Sequence, residues 1–268
     1  IVMSNGKKAF PEPIEKGLLR AKNDIFVFKD GTVRFDATDA PLSHFRPSEI
    51  RISVSKLKEL GYSHDIDGNQ LESDNQILEL KPQDIVIRDF KEDDESCADY
   101  LLRATHFIDD LLEKYYNLPR FYNLKKKEDL IGTLIVALAP HTSTGILGRV
   151  LGFTEAKVCF ANPSFHAAKR RDCDGDEDSV MLLLDVFLNF SRCFIPEKRG
   201  GRMDAPLVIT TILNPLEVDD EVYDTDIVSE YPLEFYELAE QSADSSKAKI
   251  KTFGDIVNSD DPYSGWLY

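Results

Sequence analysis

Residues 169–184, KRRDCDGDEDSVMLLL, set three cations directly before five carboxylates in seven positions: Asp172, Asp174, Asp176, Glu177 and Asp178. Like charges packed this closely repel one another and disfavour a compact state, so the segment implies a positive partner from elsewhere. If 171–176 runs extended into a turn, the two-residue period puts Asp172, Asp174 and Asp176 on one side, and Gly175 lets the backbone curl. Hard carboxylate oxygens converging on one point suit Mg²⁺, which fills the rest of its octahedron with waters and substrate phosphates. A calcium loop of the EF-hand type is excluded. Counted from Asp172, its sixth position is Glu177 rather than Gly, and its twelfth is Leu183 rather than Glu. Glu177 and Asp178 read better as acids at the start of an apolar helix over 179–194, where the helix dipole favours negative charge.

Cationic and hydroxyl-bearing residues near this loop are the candidates for holding phosphate. Lys169, Arg170 and Arg171 are placed to neutralise some of the aspartates, or to reach a triphosphate or a template backbone; a solvated basic patch is the plain alternative. In EKRGGR, residues 197–202, two glycines allow close backbone approach to a ligand, with Lys198, Arg199 and Arg202 around them; a flexible turn would read the same way. His141 lies in APHTSTG, a run of small hydroxyl residues suited to lining a backbone groove, and His166 lies three residues before Lys169. A lone histidine is more often structural, and that reading stands beside a catalytic one for both.

The bulk composition bounds these readings. With 268 residues, 42% of them hydrophobic, the chain can bury a core as one large domain or two small ones. A net charge of −16 would argue against nucleic acid if it were spread evenly, but acids and bases are segregated. EDDE at 92–95 and the acids of 217–226 are negative, whereas KKK at 125–127, KRR at 169–171 and EKRGGR are locally basic. No apolar run approaches the roughly 20 residues that span a bilayer. Cys97, Cys159, Cys173 and Cys193 show no CxxC spacing, which points to a reducing, cytoplasmic setting rather than a disulfide framework or zinc knuckle. The chain does not open on a Met, and it reads as a piece of something longer.

The elements that must position these residues follow from period and turn chemistry. IFVF, Asp30-Gly31 and VRFDAT predict a β-hairpin, and the first ninety residues look β-rich. Ser55–Gly61 predicts a short helix stopped by its glycine, and DIVIRDF from Asp84 a strand. Apolar residues at 98, 101, 102, 108, 111, 112 and 115 keep a helical period from Ser96 to Tyr116. LIGTLIVALAP at 130–140 is ambiguous between helix and buried strand, while AKVCFA and PLVITTIL are strand candidates. The apolar run 179–194 predicts a deeply buried helix, and QSADSSKAK after about Glu240 a linker.

Several strings together carry a resemblance: HAAKRRDCDGDEDSVMLLLD, EKRGGRMDAPLVITT, APHTSTGILGRVLGF, LPRFYN and DGTVRFDATDAPLSHF. In their order along the chain they resemble the catalytic region of the large subunit of archaeal family D DNA polymerase, over nearly the whole chain to about residue 238. The resemblance implies an α+β fold: a double-psi β-barrel polymerase core with associated helices, related to the multisubunit RNA polymerases. The chain then divides into a β-rich segment 1–95, a helical segment 96–130, a barrel region 131–240 holding the acidic loop, and a linker or truncated tail 241–268. It also implies DNA-directed DNA polymerase activity in archaeal replication, with two Mg²⁺ ions, or Mn²⁺ in their place, held by Asp174 and Asp176. Where the family usually has Asn this chain has Asp172, which makes the loop similar to the triple-aspartate loop of RNA polymerases and adds Asp172 to the catalytic and metal-ligand candidates. The partners so implied are primer–template DNA, deoxynucleoside triphosphates, a small exonuclease subunit and, through regions outside this chain, a sliding clamp; no membrane is involved. No convincing second barrel is visible to supply further basic residues, so the segment alone is expected to bind metal without necessarily polymerising. Two alternatives stay open: a noncatalytic acidic module stabilised by metal, and an RNA-polymerase-like nucleotidyltransferase. The polymerase reading requires the aspartates on one solvent-reachable surface facing basic groups.

Overall fold

In the computed structural model the described residues are 12–91, 95–170, 175, 177–195, 202–214, 223–224, 226–228 and 230–260. Their α-helices and strands, in chain order, are α1 (Ile14–Lys22), β1 (Phe35–Pro41), β2 (His44–Phe45), α2 (Val54–Glu59), β3 (Leu78–Glu79), β4 (Asp84–Arg88), α3 (Cys97–Lys114), β5 (Leu134–Leu138), β6 (Thr144–Thr154), β7 (Cys159–Ala161), α4 (Pro163–Ala168), β8 (Glu177–Leu182), α5 (Leu183–Asn189), β9 (Val208–Thr210), α6 (Leu233–Glu240) and α7 (Phe253–Ile256). Six strands run in the order β4-β7-β1-β8-β5-β6, and β6 pairs back onto β4 to close a barrel. The β1–β7 and β4–β6 pairs are parallel and the other four ladders antiparallel. A closed mixed barrel with surrounding helices is the α+β, double-psi-barrel architecture expected of the polymerase core. Closure leaves none of these six strands with a continuous free edge. The β9 strand extends the wall by pairing with Thr144–Ile146, on the same side of β6 that meets β4 further along.

The closing seam is fixed by chemistry as well as by the ladder. Asp84 of β4 stands opposite Arg149 of β6 in register, and the guanidinium donates to both carboxylate oxygens at 2.7 and 2.8 Å. The Tyr62 hydroxyl donates to the same carboxylate at 2.6 Å. A side chain at Gly148 would put its Cβ 2.7 Å from Ile85 Cδ1, so the strands approach here only because position 148 has none.

Helix α3 follows from its sequence. The Ser96 hydroxyl accepts the Asp99 N–H as N-cap, and the apolar stripe, including Ala98, Leu101, Ala104, Phe107, Ile108 and Leu111, is buried with Ile85, Ile135, Ala137 and Val180 of the barrel in one core. The expected strand at Asp84, the strands in AKVCFA and PLVITTIL, and the helix ended by Gly61 (φ 92°) are all present. The ambiguous 130–140 run is the central strand β5.

Two expectations are corrected. At 25–34 only the turn forms: Gly31 has φ 91° and Phe28 N–H donates to Thr32 O, but the IFVF residues make no ladder. The VRFDAT side pairs instead with β7 and β8, because closing the barrel satisfies a whole strand where a hairpin would satisfy half. The 179–194 run is strand through Leu182 and helix only from Leu183 to Asn189; insertion between β1 and β5 decides what an apolar run cannot. The barrel takes β1 and β4 from the first ninety-five residues and β5 to β8 from 134–182, so these stretches share one core. Beyond Glu240 the chain keeps some structure: Phe253, Ile256 and Val257 bury against Ala167 and Ile227.

Phe107 is fully buried in the core beneath α3. Phe107→Ala is expected to cost roughly 3–5 kcal/mol of unfolding free energy in urea titrations. A loss under about 1 kcal/mol would show that α3 is not part of the barrel's core.

Candidate active site

The acidic segment leaves the barrel from α4 and re-enters it as β8. Asn162 caps α4 by accepting the Ser164 N–H at 2.9 Å, Pro163 fills its first position, and the helix ends at Lys169. Lys169 has no exposed side-chain surface and ion-pairs with both Asp39 of β1 and Asp178 of β8. Burial alone would lower the ammonium's pKa, but these two carboxylates outweigh it and raise it above the ordinary value. Beside it His166 is buried, with Nε2 3.1 Å from the Ala40 carbonyl oxygen. Burial, then the Lys169 charge, depresses its pKa to about 3, so the imidazole is neutral at physiological pH.

Of the readings left open, the structure favours one for Lys169 and one for His166, and it corrects the helix cap expected of Glu177 and Asp178. Lys169 neutralises aspartates from inside the barrel and does not face a nucleic-acid phosphate. His166 takes the structural role. Glu177 and Asp178 cap no helix: they open β8, where alternation turns Glu177 outward and Asp178 inward onto the lysine. Arg170, in left-handed geometry at φ 60°, is exposed. Arg171, Asp172, Asp174, Asp176, Lys198 and Arg199 lie outside the described residues.

The loop's described residues open on a cleft of about 490 Å³, lined among others by Phe28, Arg34, Asp36, His141, Gly175, Glu177, Ser179 and Asp204. Gly175 has φ 106°, with nothing within 4 Å of where a Cβ would stand, so glycine is required there by backbone conformation and not by crowding. Asp36 accepts the Ser179 hydroxyl at 2.5 Å across the β1–β8 ladder. Arg34, buried against the Phe28 ring at 4.0 Å, pairs with buried Asp30, whose other oxygen accepts the Thr32 N–H at 3.0 Å. The described end of one basic run, Arg202, meets the hydroxyl-bearing 141–143 turn here. The His141 N–H donates to Asp204 at 2.6 Å, the Asp204 N–H to the Thr142 carbonyl at 2.9 Å, and the Ser143 hydroxyl to the exposed Arg202's carbonyl at 3.1 Å. Lys29 adds an ion pair to Asp204 at 3.0 Å. Sequence reasoning missed Arg34, which pairs locally with Asp30, and Asp36, Asp39, Lys29 and Asp204, whose partners Ser179, Lys169, Asp204 and His141 stand 143, 130, 175 and 63 positions away and give no local signal.

Among the described residues no three His, Cys, Asp or Glu side chains converge closely enough to hold a metal. The donors that frame the loop, Asp36 and Glu177, are carboxylates exposed on the cleft side, a set whose hard oxygens fit Mg²⁺ or Mn²⁺ and not a thiolate-seeking metal.

The family described as "DNA polymerase II large subunit DP2, catalytic domain" matches residues 2–268. The chain is similar to the DNA polymerase II large subunit of Pyrococcus furiosus, 65% identical over 235 residues that cover 88% of this chain and 18% of that protein. It is 57% identical over 259 residues to the same-named protein of Methanococcus vannielii, covering 96% of this chain and 22% of the relative. With that of Archaeoglobus fulgidus it shares 60% identity over 231 residues, 86% of this chain and 20% of the relative. The chain thus spans about a fifth of the length of the curated relatives it matches.

One buried group behind the cleft titrates in an accessible range. Asp185 of α5 accepts the Val33 N–H at 2.6 Å and the Asn189 amide at 2.7 Å, holding the segment that carries Arg34. Burial raises its pKa to about 6, against the two hydrogen bonds that favour the anion. Its folded state therefore binds a proton more tightly than the unfolded chain. The stability it contributes is complete below about pH 4 and is lost as pH rises through about 6. Urea unfolding between pH 4 and 7 should show the wild type losing stability relative to Asp185→Asn as pH rises; a difference independent of pH would contradict this.

Proposed function

The chain belongs to the catalytic-domain family of DNA polymerase II large subunits, and on that premise we propose that its acidic loop carries template-directed transfer of a deoxynucleotide to a primer 3′-hydroxyl. The observation that carries the reading is the rooting of the loop. A buried lysine ties its entry and exit to two strands of the barrel, and its described residues border a solvent-open cleft lined by the carboxylates Asp36, Glu177 and Asp204 together with Arg34 and His141.

Asp174 and Asp176, with Asp172 beside them, are the residues that would hold two Mg²⁺ ions, for which Mn²⁺ can substitute. Bound there, the metal supplies activation of the attacking hydroxyl and stabilisation of charge on the leaving pyrophosphate. The chain's own work is placement, since phosphoryl transfer asks mainly for position and electrostatics. Lys169 offsets part of the repulsion between Asp39 and Asp178, although burial and then the Asp39 charge still hold the Asp178 pKa above the ordinary value, and its two ion pairs tie the loop's roots together. Arg170, exposed at the loop's start, and Arg202, exposed beside the 141–143 turn, are the described cations free to turn to a triphosphate or a template phosphate; Arg171, Lys198 and Arg199 flank them in sequence. His141 presents its backbone, through Asp204, and its side chain to the same cleft.

The substrates so proposed are primer–template DNA and deoxynucleoside triphosphates, in archaeal DNA replication. The partners are a small exonuclease subunit and a sliding clamp, the latter reached by parts of the subunit beyond this chain. The setting so proposed is cytoplasmic; among the described residues no helix is long and apolar enough to cross a membrane.

In the complete two-subunit enzyme, Asp174→Asn or Asp176→Asn should abolish nucleotide incorporation without lowering the thermal midpoint, since each removes charge from a repelling cluster. Incorporation at the wild-type rate by either variant would overturn the assignment. Asp172→Asn should shift the magnesium titration of incorporation modestly to higher concentration. Superimposable curves would remove Asp172 from the ligand set.

A further inference from the structure

We propose that the surface where α1, the C-terminal half of α3 and the 118–125 loop meet binds single-stranded DNA, apart from the candidate active site. The identity of the strand, though not the chemistry of the surface, rests on the polymerase reading above.

The loop is held rigid from below. Buried Asp109 accepts three consecutive backbone N–H groups, those of Phe121 at 2.9 Å, Tyr122 at 2.8 Å and Asn123 at 2.7 Å. In the conformation this fixes, Phe121 is 67% exposed. Next to it the charges are layered. Asp110 has only 4% of its side chain exposed, while the Lys22, Lys114 and Arg120 side chains that surround it are 57%, 44% and 40% exposed. The carboxylate is sunk and its cations form the outer layer. Exposed Lys125 adds a further ammonium; its backbone N–H donates to Asp129 at 3.0 Å, and its charge helps to lower that carboxylate's pKa. Glu113, bound to Arg120 at 2.7 Å, is the exposed acid that offsets them. On a chain of net charge −16, an outward-facing cationic layer needs an anion to account for it.

Between these side chains lies a cleft of about 430 Å³, with Asn23, His106 and Asn123 as neutral hydrogen-bonding groups. Cations over a polar cleft suit phosphates. Phe121, next in sequence to Arg120 of the cleft's lining, presents an exposed ring that packs edge-to-face with Tyr122 at 4.9 Å; such a face suits a base, and only an unpaired strand offers an unstacked one. A blunt duplex would meet the cations and leave the ring unused.

The test measures binding by the complete two-subunit enzyme, using fluorescence anisotropy of a labelled oligo-dT strand and of a blunt duplex of equal length. At about 0.1 M salt, Lys22→Ala with Lys125→Ala should weaken oligo-dT binding about tenfold and flatten its salt dependence. Phe121→Ala should also weaken it about tenfold, with the salt slope unchanged and the duplex unaffected. Lys22→Arg with Lys125→Arg should restore the affinity. All three positions are exposed, and thermal midpoints within error of the wild type verify that the variants fold. Unchanged oligo-dT affinity in both the lysine and the phenylalanine variants overturns the proposal, as does an equal loss for strand and duplex on Phe121→Ala. A wild-type enzyme that binds oligo-dT in this way but incorporates no nucleotide would overturn the polymerase reading and leave this surface standing.

Discussion

A lysine with no exposed side-chain surface, shared by carboxylates on two neighbouring strands, is the contact on which the acidic loop depends. Taking an ammonium and two carboxylates out of water is costly, and the loss is offset only where each charge has a close partner. Lys169 meets that condition because Asp39 on β1 and Asp178 on β8 lie on adjacent strands, with β1 and β8 paired from Phe35 to Thr38 and from Glu177 to Val180. The result joins three elements at one point, the end of α4 and the two strands, and it brings residues 169 and 178 together at the base of the loop between them. His166 is kept neutral by the same burial and the same lysine, so no second buried cation competes for the pair.

The remainder of the barrel presents that point. Asp84 and Arg149 close the ring at the β4–β6 seam, α3 fills its side with an apolar stripe, and Asp185 holds the segment leading into β1. Because β1 and β8 are adjacent, Asp36 and Glu177 come out on the cleft side while Asp178 goes in, and the two-residue period of the strand separates charges that are contiguous in sequence. Part of the crowding in DCDGDED is relieved by sending one carboxylate through the barrel wall to a buried cation.

Local signals were legible where a short stretch fixes its own conformation. The helical period from Ser96, the Gly61 stop, the strand at Asp84 and the glycine at 175 that lets the backbone turn all read correctly. The family resemblance was legible because unusual strings are themselves information. Nothing local could show that Lys169 belongs to Asp39, 130 positions away, or that Asp109 organises residues 121–123. Asp30-Gly31 gave its turn but not its partner, since strand pairing is decided by the closed sheet. The run 179–194 misled because the strand β8 and the helix α5 are both apolar and meet without a polar break at Leu182–Leu183.

The most direct test is urea unfolding of Lys169→Met alone and combined with Asp39→Asn and Asp178→Asn. If the buried lysine holds both carboxylates, the single substitution leaves two uncompensated acids and costs roughly 3–5 kcal/mol, and the triple substitution recovers most of that loss. A loss below about 1 kcal/mol for Lys169→Met, or a triple variant no more stable than the single one, would contradict the account.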